Sequence, residues 1–182
     1  MKHPLKIFLF LTGVLLLTLV ACNKKPPSLD VFGNVVIETE NGFKFHDLGW
    51  LTEFETIEED IPEAVYSEKL ERLEVQESFE DEQRHTLYYF DDNQFTSGHY
   101  LIVLEEASDY ETYLSEIKDE AESYFTEHQP MNEDLDELLD NQSVQWEGRD
   151  KSYFRISTTE DGDKYTIRLQ VSAPQEVQDG LD

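Results

Sequence analysis

The chain has 182 residues, with 14 Lys and Arg against 41 Asp and Glu, for a formal net charge of −27 at pH 7. Charge of that sign and size repels nucleic acid and anionic lipid across a Debye length of about 10 Å, which excludes both as partners of the folded domain. Nine Tyr, eleven Phe and two Trp supply the apolar bulk for one packed domain, so the acidity does not read as disorder.

Lys2 and Lys6 open the chain with no acid between them, and an apolar run from Ile7 to Val20 follows, interrupted only by Thr12, Gly13 and Thr18. At about 1.5 Å per residue this run reaches roughly 21 Å, short of the ~30 Å hydrocarbon core, which favours a signal peptide over a spanning helix. It closes in Leu19-Val20-Ala21-Cys22, which resembles the lipobox of bacterial lipoproteins. The resemblance implies cleavage after Ala21 by a type II signal peptidase and a thioether-linked diacylglycerol on Cys22. It also implies acylation, such as by palmitate, of the new amino terminus. The protein is then held on the extracytoplasmic side of the cell membrane. One acyl chain binds a bilayer marginally at about 0.8 kcal/mol per methylene, so two or three chains make the anchor. Asn23 is not aspartate, so the inner-membrane retention signal of some Gram-negative lipoproteins is missing.

Cys22 is the only cysteine, which leaves no disulfide and no thiolate metal site. Removing residues 1–21 takes away two cations and no acid, leaving 161 residues with twelve cations against forty-one acids, a net −29. Residues 22–33, with Lys24, Lys25, Pro26, Pro27 and Ser28, read as a lipidated tether. Residues 34–174 read as one acidic globular domain, and 175–182 as a flexible tail. Crowded carboxylates predict that salt and mild acidification stabilise this domain.

Val35 to Ile37 and Phe43-Lys44-Phe45 predict two strands joined at Asn41-Gly42, a strong hairpin dipeptide, with both rings on one face. The stretch from Asp47 is less patterned, and Pro62 predicts a short helix through Tyr66 and Leu70. Leu73 and Val75 mark a strand, Glu80 to Gln83 a polar turn, and Thr86 to Phe90 another strand. Asp91-Asp92-Asn93 and Ser97-Gly98 bound a predicted loop. The unbroken Tyr100 to Leu104 run then marks a central strand covered on both faces.

Ser108 with Glu111 predicts a capping box. The spacing of Tyr110, Tyr113, Leu114, Ile117, Ala121, Tyr124 and Phe125 predicts a long helix over about 108–125. A shorter helix is expected around Leu135, Leu138 and Leu139. The C-terminal part predicts a three-stranded meander: Ser143–Glu147, Tyr153–Thr159 and Tyr165–Val171, with turns at Gly148-Arg149-Asp150 and Asp161-Gly162. The fold class is therefore α+β, an antiparallel sheet with the long helix packed on one face and the meander at the end. That outline is loosely similar to the sandwich of the PsbP and Mog1-like proteins.

A search for reactive constellations finds none. His46, His85, His99 and His128 never recur at i, i+4 as a helical zinc site needs, and His85 and His99 are expected at opposite ends of paired strands. Ser78, Ser97, Ser108 and Ser123 stand outside any Gly-x-Ser-x-Gly turn, and the glycines form no phosphate loop. Asp91, Asp92 and Asn93, or Glu160, Asp161 and Asp163, offer oxygen ligands but lack the spacing of a calcium loop, and read as turns. Tyr88, Tyr89, Phe90, Tyr100, Tyr110, Tyr113 and Tyr124 read as core, with a groove for a peptide or small apolar ligand as the sharper alternative.

The expectation is a lipid-anchored, extracytoplasmic, noncatalytic interaction or accessory module with no cofactor and no metal. Its partners are the membrane, through Cys22, and a protein or cationic ligand. The competing readings are a binding protein for a divalent cation or cationic ligand, and an unrecognised enzyme of the cell envelope.

Overall fold

The computed structural model describes residues 30–79, 81–131 and 143–178. Cys22, the expected signal peptide and the helix expected near Leu135 lie outside these residues. The fold is mixed α and β, mostly strand. A two-stranded sheet pairs β1 (Val36–Glu38) with β2 (Phe43–Phe45). A seven-stranded antiparallel sheet contains β3 (Val65–Ser67), β4 (Arg72–Ser78), β5 (Glu82–Asp91), β6 (Gln94–Leu104), β7 (Ser143–Glu147), β8 (Tyr153–Asp161) and β9 (Lys164–Ser172). Among the described residues the helices are α1 (Phe54–Asp60), α2 (Ala107–Tyr124) and α3 (Gln175–Gln178).

The order β3-β4-β5-β6-β9-β8-β7 puts β6, the strand with the strongest apolar run, at the centre. Strands β3 to β6 are laid down in sequence, and the chain then passes through α2 to the far edge. From there β7, β8 and β9 return inward until β9 pairs β6 with Tyr100 opposite Leu169 and Ile102 opposite Ile167. The C-terminal strands are thus three of the seven in one continuous sheet, and among the described residues the long helix is accompanied by two shorter ones.

Alternation along the strands sorts residues onto two faces. The inner face carries Leu73, Tyr88, Gly98, Val171, Phe154 and Trp146 in one cross-strand row, and Tyr100, Leu169, Ile156 and Val144 in the next. Against it pack α2, through Tyr110, Leu114, Ile117 and Ala121, and the β1–β2 hairpin, through Phe43 and Phe45. Complete burial of rings such as Phe43, Phe45, Phe95 and Phe154 stabilises by about 1.5–3 kcal/mol each and dominates the core. Val31 and Phe32, which composition assigns to the tether, are buried in the same cluster. Packing therefore begins upstream of residue 34.

Glycine sets two close approaches. A Cβ on Gly98 would lie 2.6 Å from Cε1 of Phe45 and closer still to Cγ and Cδ1, so the ring rests directly on the central strand. Gly42, in the predicted hairpin turn, abuts Ser152, whose hydroxyl accepts the Phe43 N–H at 2.8 Å and donates to Asp150 Oδ1 at 2.6 Å. Asp150 N–H in turn donates to the Asn41 carbonyl at 2.9 Å, so the two hairpin tips lock together.

Four expectations are corrected. Ser97-Gly98 is no turn but part of β6, because the two-residue turn at Asp92-Asn93 suffices to close the β5–β6 hairpin. The helix expected after Pro62 instead ends before it: α1 spans Phe54–Asp60 and Val65–Ser67 is extended. Ser108 does not cap α2, whose N-cap is extended Glu106 with no side-chain bond, so the capping box does not form. The polar turn near Glu82 is the start of β5, where Glu82 and Arg84 point inward and are buried as an ion pair. Tyr113 of α2 donates to the same Glu82 carboxylate, and burial with that bond pushes its phenol up to about 12.

Beyond α2 the chain turns on one carboxylate. Glu38 accepts the N–H groups of Thr126, Glu127 and His128 at 3.1–3.2 Å, and its Oε1 is 3.0 Å from His128 Nδ1. Glu38→Ala strands these donors, and the His128 side chain is only 4% exposed. It is expected to cost about 1–2 kcal/mol in denaturant melts, against little for Glu40→Ala on the exposed turn; equal losses contradict the role of the clamp.

Candidate functional site

Segment 51–54 makes the site by pairing with the start of β6. Leu51 N–H donates to the Phe95 carbonyl at 3.0 Å, Phe95 N–H to Thr52 at 2.9 Å, and Phe54 N–H to Asn93 at 3.0 Å. This holds the first turn of α1 beside the β5–β6 turn. Asp92 and Asn93 there adopt φ of 43° and 65°, the left-handed conformation that a two-residue hairpin turn demands and that these side chains tolerate.

Phe54 is then flanked by two rings. Phe90 of β5 lies 5.1 Å away at 70°, and Tyr66 of β3 lies 5.3 Å away at 78°, both edge-on arrangements. The three rings, with Glu55, Glu58, Glu71, Asp91, Asp92 and Asn93, line a cavity of about 550 Å³. Glu55 is tied by Asn93 Nδ2 at 2.9 Å, and its own backbone N–H with that amide holds its carboxyl below the usual range. The cavity is therefore aromatic inside and anionic around the mouth. Its lining includes no histidine, serine, lysine or cysteine. Among the described residues no three His, Cys, Asp or Glu come together as a metal site.

Of the sequence candidates, Asp91, Asp92, Asn93 and Phe90 reach this cavity. Glu160, Asp161 and Asp163 do not; they form the β8–β9 turn, where Gly162 takes a φ of 64°. Tyr88, Tyr100 and Tyr110 are core, Tyr89 lies on the outer sheet face, and Tyr124 accepts the Glu38 N–H at 3.2 Å. Phe54 and Tyr66 were missed because they sit in the weakly patterned acidic stretch. Their only sequence signal is that they are aromatic among acids.

A second cavity of about 420 Å³ is bounded by His46, Ile61, Glu63, Val75, Gln76, Glu77, Thr86 and Tyr88. Burial lowers the pKa of His46, and its Nε2 has no hydrogen-bond partner among the described residues.

The outer face of the sheet collects three of the five arginines, Arg72, Arg155 and Arg168, together with His85 and His99. His85 faces Leu101 while His99 faces Leu87, so the two are diagonal neighbours and not at opposite strand ends. Most of this charge is settled in place. Arg72 donates to Tyr89 at 2.8 Å and Glu74 at 2.9 Å, His85 Nδ1 is 2.7 Å from Glu74, and Arg155 donates to Gln145 at 2.6 Å. Burial raises the Glu74 pKa, but the bonds from His85 and Arg72 outweigh it and the carboxyl ends below its ordinary value. His99, against the Tyr89 ring at 4.5 Å, is pushed down to about 4 by burial and by the Arg168 and Arg72 guanidiniums.

Comparison with protein-family profiles, with curated proteins and with solved structures finds no match to this chain.

Proposed function

We propose that the protein is a noncatalytic binding module of the cell envelope, tethered through lipid on Cys22, whose ligand is a cation taken up in the cavity lined by Phe54, Tyr66 and Phe90. The observation that carries this reading is the combination of one 550 Å³ cavity, three aromatic walls and a rim of carboxylates. Aromatic faces attract cations through their quadrupole, and the carboxylates raise the local cation concentration. The reading takes the scaffold as an antiparallel sheet with its long helix on one face and a C-terminal meander, leaving the α1 end of the sheet to the ligand.

Two measurements test it. Cys22→Ala is expected to abolish the acyl mass on the N-terminal peptide and to release or misprocess the chain. An unmodified wild-type N-terminus overturns the anchor. Calorimetry of the full chain in maltoside detergent against a panel of organic and inorganic cations is expected to show one saturable site that Tyr66→Ala weakens. Binding of none of them above a salt-matched control overturns the cation reading.

A further inference from the structure

We propose that the cation is an N-alkylated ammonium carrying no acidic group, with its head against the rings of Phe54, Tyr66 and Phe90. This rests on the cation-binding reading above and narrows it by four arguments.

Inorganic cations are disfavoured first. Calcium and magnesium require several oxygen ligands converging within about 2.6 Å, and no three acidic or imidazole groups converge among the described residues. The carboxylates ring the mouth and the rings form the walls.

Hydration separates the remaining cations. Primary ammonium groups are compact, strongly hydrated charges, and losing that water to hydrocarbon without hydrogen bonds is costly. An alkylated ammonium presents methyl or methylene groups that carry diffuse charge, and it needs ring faces in place of acceptors. Phe54 packs edge-on against Phe90 and Tyr66, so the three rings form one aromatic wall of the cavity, and a head seated against that wall comes within the ~6 Å over which a cation is attracted to a ring.

The rim then discriminates within this class. Glu55, Glu58, Glu71, Asp91 and Asp92 surround the entrance, so a ligand that also bears carboxylate or phosphate meets like charge. Zwitterions such as betaines are thereby rejected, and a simple onium with a neutral substituent is admitted. Lastly, the wall is incompletely covered. Tyr66 is 44% exposed and its neighbour Val65 is 69% exposed, two of the few large apolar side chains left to water among the described residues. An alkylated head would cover the Tyr66 ring.

The test uses the full lipidated chain in maltoside detergent, with choline, tetramethylammonium, spermidine, calcium chloride and glycine betaine as separate probes. Expected are saturable binding of choline and tetramethylammonium by calorimetry, and upfield ring-current shifts of their N-methyl protons by NMR. Glycine betaine should be at least about tenfold weaker. Tyr66→Leu and Phe54→Leu, which keep apolar bulk and remove the ring, should each weaken choline about tenfold with melting temperature nearly unchanged for Tyr66→Leu. Spermidine or calcium binding with choline silent overturns the alkylammonium assignment and leaves the cation reading standing. Silence from every probe overturns both. Choline binding that survives Tyr66→Leu and Phe54→Leu unchanged, or that glycine betaine matches, also overturns the assignment.

Discussion

Gly98→Ala is expected to lose about 3 kcal/mol of folding stability, the upper end of the usual cost of overpacking a close-packed core. The added methyl collides with a Phe45 ring that is fully buried between Phe95, Tyr88 and His46. Neither side can yield: Gly98 is hydrogen-bonded into the central strand of the sheet, and the β1–β2 hairpin is pinned at its tip by Ser152 and Asp150. Urea melts check the loss, and a double-mutant cycle with Phe45→Ala identifies its cause. Phe45→Ala alone should cost about 3–5 kcal/mol through the cavity it leaves, and the double mutant should cost clearly less than both losses together. Strict additivity would mean that the ring and the glycine do not share the space.

Acidification from pH 6.5 to 4 is expected to destabilise the domain by about 3 kcal/mol through His99 alone, since each tenfold difference in proton affinity between the folded and unfolded chain is worth about 1.36 kcal/mol. Its folded pKa is about 4 against an unfolded value near 6.5. Within that window the unfolded chain binds a proton that the folded chain refuses, so stability rises with pH. The contribution is complete above pH 6.5 and lost as pH falls through 4. His46, also lowered, acts in the same direction. Glu120 opposes them, since burial with Asp30 and Glu116 nearby raises its pKa, and there the expected relief of crowded carboxylates is found. The two histidines outweigh it, so mild acid is expected to weaken the fold, opposite to the sign that composition suggests. His99→Gln keeps a polar side chain beside Ser97 and Gln170 and should flatten the stability slope between pH 6.5 and 4.5. Superimposable slopes for wild type and variant would refute the assignment to His99.

Period-two alternation from Tyr165 to Val171 and the Asn41-Gly42 dipeptide made the C-terminal strands and the first hairpin legible, because both are local signals. The errors arose where distant residues decided. Ser97-Gly98 has turn chemistry in isolation, yet the glycine is required by Phe45, some fifty residues upstream. Glu82 reads as part of a polar turn because nothing local reveals that Arg84 neutralises it under Tyr113. The diagonal placement of His85 and His99 depends on a register that only pairing supplies. The cavity was half legible: the acidic turn Asp91-Asp92-Asn93 stood out, whereas its rings come from three separate elements.

The position of Glu38 has a mechanical meaning. Val31 is the first buried residue among those described, and the first element beyond it, β1, is fastened to the end of α2 through Glu38 and to the β7–β8 turn through the hairpin tip. Tension applied at residue 30 is therefore shared by the buried Val31 and Phe32, a carboxylate clamp, a serine latch and a ring seated on glycine. A domain pulled from its N-terminal side resists through several contacts of different chemistry at once, and no one of them carries the whole load.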